Sequence, residues 1–170
     1  MKSLVVYYSL DGNTRFIANV IADEIKADVL ELTPKKDIPK KGFMKFLVGG
    51  KQVFLRKSPE LINFDKDPND YTHIFIGTPV WGFRHAPALE TFFTKVDLEG
   101  KGIALFCCHG GGKGKTLDQM RDILKGNDII GQIDFKEPLR QDKEDNEIRA
   151  RSWSKEIIRE EKIKQNGQAG

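Results

Sequence analysis

Leu4-Val5-Val6-Tyr7-Tyr8 runs directly into Ser9-Leu10-Asp11-Gly12-Asn13-Thr14, and the chain then continues with apolar residues at Phe16, Ile17, Val20, Ile21 and Ile25. The first run is strand-sized and apolar throughout. The second repeats at helical spacing and predicts a helix over 13–26. Between them lies a turn of small and hydroxyl residues. A strand that turns this sharply into a helix collects unpaired backbone N–H groups at the positive end of the helix dipole, which suits a phosphate. Ser9 and Thr14 add hydroxyls, and Gly12 allows close backbone approach. An ordinary capped turn accounts for the same residues without a ligand. Asp11 would repel a phosphate, so its side chain is expected to point outward, leaving only its amide to take part.

The same alternation continues along the chain. Strands are predicted over 2–8, 28–32, 73–77, 102–108 and 129–135. Helices are predicted over 86–96, from about 115 to 124, and from 142 to about 162. The fold class that follows is α/β, with a parallel sheet covered on both faces. One domain is expected over 1–164, with 165–170 as a frayed tail. In such sheets ligands bind beyond the carboxyl ends of the strands. Three loops fall at those ends: Ser9–Thr14, Thr78–His85 and His109–Lys115.

The second loop reads Gly77-Thr78-Pro79-Val80-Trp81-Gly82-Phe83-Arg84-His85. Trp81, between Pro79 and Gly82, either plugs the core or stacks on a planar ligand; Phe83 and His85 are lesser candidates. The third reads Cys107-Cys108-His109-Gly110-Gly111-Gly112-Lys113-Gly114-Lys115-Thr116. It imitates a nucleotide-binding P-loop, but that spacing requires glycine where His109 stands. Its glycines instead offer a flat surface and backbone donors. Cys108 and His109 are adjacent on a strand and point to opposite faces, which argues against a nucleophile–base pair. Two Cys and three His without ligand spacing argue against a metal site, and no residue stands out as a catalytic acid or base.

Composition narrows the function classes. The 170 residues are 39% hydrophobic and 31% charged, with a net charge of +3. Basic and acidic residues are mixed, which disfavours nucleic-acid binding. No apolar run approaches the roughly 20 residues that span a bilayer. A cytoplasmic protein with reduced thiols is expected, with no membrane partner. A basic stretch, Lys35 to Lys57, carries Phe43, Phe46, Leu47, Val53 and Phe54 near helical spacing. It is expected to form an amphipathic crossover helix, or alternatively a basic edge (Lys40, Lys41, Lys45) that docks an acidic partner.

At this point the chain resembles the flavodoxin family. Ser9-Leu10-Asp11-Gly12-Asn13-Thr14 is similar to that family's [ST]-x-[ST]-G-[NT]-T phosphate loop, and Gly77-Thr78-Pro79-Val80-Trp81 to its ring-flanking loop. The resemblance implies a flavodoxin-like three-layer sandwich, a five-stranded parallel sheet in order 2-1-3-4-5, and FMN at the carboxyl edge. It further implies that Ser9, Leu10, Asp11, Gly12, Asn13 and Thr14 bind the FMN phosphate. Thr78, Pro79, Val80, Trp81, Gly82 and Phe83 would flank the ring, and Cys108, His109, Gly110, Gly111 and Gly112 would run along its pyrimidine edge. The implied function is electron transfer with a redox partner protein or a small electron donor or acceptor. The alternatives are an FMN-dependent NAD(P)H or quinone reductase and a non-catalytic phosphate-ligand-binding regulatory domain. The regulatory alternative lacks the clustered acids of receiver domains: the ends of the first and third strands read Tyr8-Ser9 and Ile76-Gly77-Thr78. Asp11 where the family often has threonine, the absence of a tyrosine-bearing acidic third loop and the net basic charge are departures. The last points away from a strongly low-potential shuttle, because fewer negative charges then oppose a reduced, anionic flavin.

Overall fold

The computed structural model describes residues 1–36 and 58–168. In chain order the elements are β1 (Ser3–Tyr7), α1 (Asn13–Ile25), β2 (Asp28–Glu31), a single 3-10 turn (Pro68–Asp70), β3 (His73–Pro79), α2 (Pro87–Lys95), β4 (Gly102–His109), α3 (Thr116–Ile123), β5 (Asp128–Lys136) and α4 (Lys143–Gln168). The five strands form one sheet in the order β2-β1-β3-β4-β5, every pairing parallel. That is the expected fold class and strand order. The expected crossover helix falls outside the described residues for positions 37–57, and so do Lys40, Lys41 and Lys45.

Alternation along the strands sets the two layers. Leu4, Val6, Ile74, Ile76, Ile103, Leu105 and Cys107 pack with Leu89 and Phe92 of α2 and Leu117 and Met120 of α3. Val5, Tyr7, Phe75, Ala104, Phe106 and Cys108 pack on the other face with Ile17 and Ile21 of α1 and Ala150 and Ile157 of α4. The three inner strands are apolar on both faces because helices cover both. Cys107 and Cys108 accordingly point into opposite layers, both as free thiols. Burial pushes the Cys107 thiol up to about 12 and raises that of Cys108 as well, so neither is a nucleophile at neutral pH.

Three strands run further toward the carboxyl edge than the apolar pattern predicts, β5 by the single residue Lys136. β3 includes Thr78 and Pro79, which face Cys107 and Cys108, and Val80 N–H donates to the Cys108 carbonyl at 2.8 Å. β4 includes His109, opposite Lys136. Ladder hydrogen bonding carries these turn-forming residues as strand, where propensity alone would end it. α4 likewise continues past 162 through a polar stretch to Gln168.

Gly77, central in β3, lies under the ring of Phe106. A Cβ added there would come within 2.1 Å of that ring. Phe106 is fully buried and has no space to retreat. Gly77→Ala is therefore expected to cost about 1–3 kcal/mol or more through overpacking, seen as a lower denaturant midpoint. Phe106→Leu in the same chain should recover part of the loss.

Candidate functional site

The first loop leaves β1 at Tyr8 and enters α1 through Gly12, whose φ of 90° is left-handed. A side chain at that φ is strained, so glycine is required there. No side chain caps α1, and its first turn holds no acid. The amides of that turn and the dipole's positive end are thus left to an external anion. The hydroxyls of Ser9 and Thr14 are buried without hydrogen-bond partners among the described residues. A buried hydroxyl left unsatisfied costs about 1–3 kcal/mol, and a phosphate oxygen would satisfy both. Thr14 also lies against the Cys108 thiol, where it offsets a little of the rise that burial imposes. Asp11 is exposed. Arg15 turns to Glu31 of β2, which also accepts from the Tyr7 hydroxyl at 3.2 Å.

The second loop is held from inside by Thr78. Its hydroxyl, fully buried, accepts from Ala86 N–H at 2.9 Å and donates to the Pro79 carbonyl. Thr78 therefore shapes the loop, with its hydrogen bonds spent before any ligand arrives. Trp81 and Arg84 exchange backbone hydrogen bonds of 2.9 and 3.1 Å across a two-residue turn. Gly82 and Phe83, the central residues, have φ of 56° and 62°. A phenylalanine there costs about 1–2 kcal/mol in local strain. Trp81 is half-buried. Its ring meets Tyr8 edge-to-face, centroids 5.6 Å apart, and leans on the layer of α2 and α3. The core-plug reading thus holds for part of the ring, and the rest of the ring lies at the edge. His85 is buried, bonded through Nε2 to Glu90 at 2.8 Å. Burial holds its imidazole below the usual range despite Glu90.

In the third loop Gly110 and Gly111 are exposed and Gly112 half-exposed, and a Cβ at either Gly111 or Gly112 would meet nothing within 4 Å. There is open space over this backbone. His109 Nε2 lies 3.0 Å from Asp134 Oδ2 of β5, and Lys113 Nζ donates to Oδ1 of the same carboxylate at 2.6 Å. Burial pushes the Asp134 carboxyl up, but the bonds from Lys113 and His109 outweigh it and hold it below the usual carboxylate range. An ionised carboxylate only accepts, so His109 Nε2 carries the shared proton. Nδ1, buried and unpartnered, is then an acceptor while the ring is neutral.

A fourth loop, after β5, joins the first and third and was missed in the sequence. Leu139 N–H donates to Asn13 Oδ1 at 3.1 Å, and Glu137 N–H to the His109 carbonyl at 2.9 Å. Leu139 Cδ1 also lies 3.4 Å from where a Gly12 Cβ would stand. The left-handed Glu137 and Asp142 bracket this loop, and glutamate is not a residue that signals such a backbone. Thr116, at the start of α3, is a further buried hydroxyl without a partner. An open cleft of about 560 Å³, lined by residues 62–69 with Lys95 and Val96, lies where the chain enters β3 and leaves α2. That is the amino end of the sheet, away from all four loops.

Uncapped amides and orphaned hydroxyls in one loop, an aromatic ring in the next and open glycines in the third match a phosphorylated ligand with a flat ring system. Comparison with known proteins agrees. The model of the family described as flavodoxin matches residues 2–130. No curated protein matches the chain. Among solved structures, a flavoprotein in complex with FMN from Lactobacillus acidophilus NCFM is 25% identical, with a TM-score of 0.67 over 84% of this chain and 97% of its own. Two-electron reduced flavodoxin from Megasphaera elsdenii is 22% identical, with a TM-score of 0.58 over 91% and 99%. A flavodoxin, WrbA-like protein from Agrobacterium tumefaciens shares the fold at 14% identity, with a TM-score of 0.58 over 93% and 98%. The sheet order, the loop at its carboxyl edge and the matched family model together place this chain in the flavodoxin family.

Proposed function

We propose that the carboxyl-edge loops bind FMN and that the protein acts in electron transfer. The observation that carries this is the first loop: two buried hydroxyls without partners among the described residues, beside a helix with no side-chain cap and no acid in its first turn. FMN is the cofactor, and when bound it supplies one- and two-electron redox chemistry that the chain's own side chains lack. Ser9 to Thr14 hold its phosphate through hydroxyls and backbone N–H groups. Thr78 fixes the shape of the second loop, Trp81 flanks the ring, and Gly82 and Phe83 form the tip beyond it. Gly110 to Gly112 lie flat along the pyrimidine edge. Cys108 contributes backbone alone, since its thiol points into the layer of α1 and α4.

Charge around the ring supports a potential less negative than an acidic surround imposes. The third loop brings His109 and Lys113, and the carboxylate beside them, Asp134, is bound by both. The other acid at this edge, Glu137, whose Oε1 lies 4.0 Å from where a Gly110 Cβ would stand, is paired with Arg140, so negative charge added to the ring on reduction meets carboxylates that are already engaged. An electron carrier needs only this: a held cofactor, an accessible ring edge and no water-excluded substrate chamber.

Ser9→Ala and Thr14→Val separate a ligand site from a structural turn. Each removes a hydroxyl that is unsatisfied without ligand, so the stability of the FMN-free protein should hold or rise. FMN affinity, read by quenching of flavin fluorescence, should fall about 10-fold or more for each, since bonds to a charged group contribute about 1.5–3 kcal/mol. Loss of stability with unchanged affinity would identify a structural turn. For the carrier role, FMN-loaded protein supplied with NADH or NADPH and a quinone should show no sustained turnover. Steady nicotinamide oxidation would move the protein to the reductases.

A further inference from the structure

We infer that the tip of the second loop, Gly82-Phe83-Arg84, together with Lys115 of the third, is a docking surface for an acidic redox protein, which rests on FMN being bound beside it. Phe83 is 68% exposed, more than any other large apolar side chain among the described residues. Its left-handed backbone occupies a turn position that glycine or asparagine fills without strain. Strain held at a surface, with no burial in return, marks a place where another molecule completes the environment. The tip is fixed from two sides. The paired Trp81–Arg84 hydrogen bonds close its base. Phe83 also rests on the third loop, where a Cβ on Gly114 would come within 2.8 Å of Phe83 Cβ. A preformed aromatic knuckle of this kind loses little freedom on binding.

Charge selects the partner. Arg84 and Lys115 are exposed, and neither has a carboxylate partner among the described residues. Lys113, between them, is engaged by Asp134. Neighbouring acids are engaged too: Glu90 bonds His85, and Asp118 pairs with Arg121. Asp11 lies on the first loop, and Glu137 of the fourth, whose Oε1 lies 4.0 Å from where a Gly110 Cβ would stand, is paired with Arg140. What remains is an aromatic ring flanked by two unneutralised cations, the combination of an aromatic with arginine that anchors protein interfaces. A carboxylate-rich face is attracted to it and a basic face is repelled.

The test uses FMN-loaded, photoreduced protein and follows its reoxidation in stopped flow by ferricyanide, an anion, and by hexaammineruthenium(III), a cation. Oxidation by ferricyanide should slow several-fold from about 10 to about 300 mM salt as the cations are screened, and poly-L-glutamate should compete with it at low salt. Oxidation by the ruthenium complex should not slow with salt or with poly-L-glutamate. The double variant Arg84→Gln, Lys115→Gln should lose most of the salt dependence and of the competition, with FMN absorbance and affinity as in the unaltered protein. Phe83→Asn, which suits left-handed backbone, should keep or raise the Tm. A salt-independent ferricyanide rate, or one whose dependence survives in the double variant, overturns the surface. Salt dependence without competition by poly-L-glutamate leaves a small-anion site and overturns a protein partner. A Tm lowered by several degrees in Phe83→Asn makes the residue a clamp between loops and overturns the strain argument. Failure of the unaltered protein to take up FMN would instead overturn the cofactor assignment, and is decided before these arms begin.

Discussion

The amino end of α1 is the point on which the site depends. A parallel sheet delivers every strand to the same edge, and β1 delivers its chain straight into a helix. The helix begins with amides that its own turns cannot satisfy. In most helices a Ser, Thr, Asp or Asn side chain at the cap answers them. Here the cap is Gly12, left-handed and without a side chain, and the hydroxyls on either side of it are themselves unsatisfied. Donors accumulate there, and no side chain among the described residues caps them. Fixing them in that geometry costs stability, which in the proposed function a ligand with several acceptor oxygens returns.

The remaining loops are arranged around that constraint. Thr78 uses its hydroxyl to set the curve of the second loop, so that Trp81 presents part of its ring at the edge while Tyr8 supports the rest. Asp134 holds His109 and Lys113 at once and thereby fixes the third loop from the neighbouring strand. The fourth loop ties Asn13 to Leu139 and His109 to Glu137. Four segments distant in sequence are thus braced against one another before any ligand is present, which favours tight binding because little ordering remains to be done.

Much of this was legible in the sequence. Apolar runs separated by helical periodicity gave the α/β alternation, since strands buried on both faces leave an unmistakable pattern. The phosphate loop showed itself because few residues other than Gly12 tolerate its backbone, and because Ser9 and Thr14 flank it. How far Trp81 packs into the core was not legible: that depends on Tyr8, which is close in space but far in sequence. The Asp134 clamp depends on strand register, and an aspartate in a strand pattern has no mark of its own. The fourth loop left least trace. Glu137 adopts left-handed backbone while its N–H bonds the distant His109 carbonyl, and Leu139 reads as an ordinary exposed apolar residue.

Those differences bear on what sets this chain apart within its family. The anchor for the phosphate follows the family's pattern, whereas the third loop is basic and glycine-rich and the second ends in a strained aromatic tip. In the proposed function, the first loop is what holds the flavin, and the other two are what direct its electrons. The central claim is that the phosphate, more than the ring, secures the cofactor. The most direct measurement is a fluorescence titration of the flavin-free protein with FMN and, in parallel, with riboflavin, which has the ring and lacks the phosphate. With several charge-assisted hydrogen bonds at about 1.5–3 kcal/mol each, FMN should bind about 100-fold more tightly than riboflavin, or better. Equal affinity for the two would contradict the account, because the donors of the first loop would then be doing nothing for the ligand.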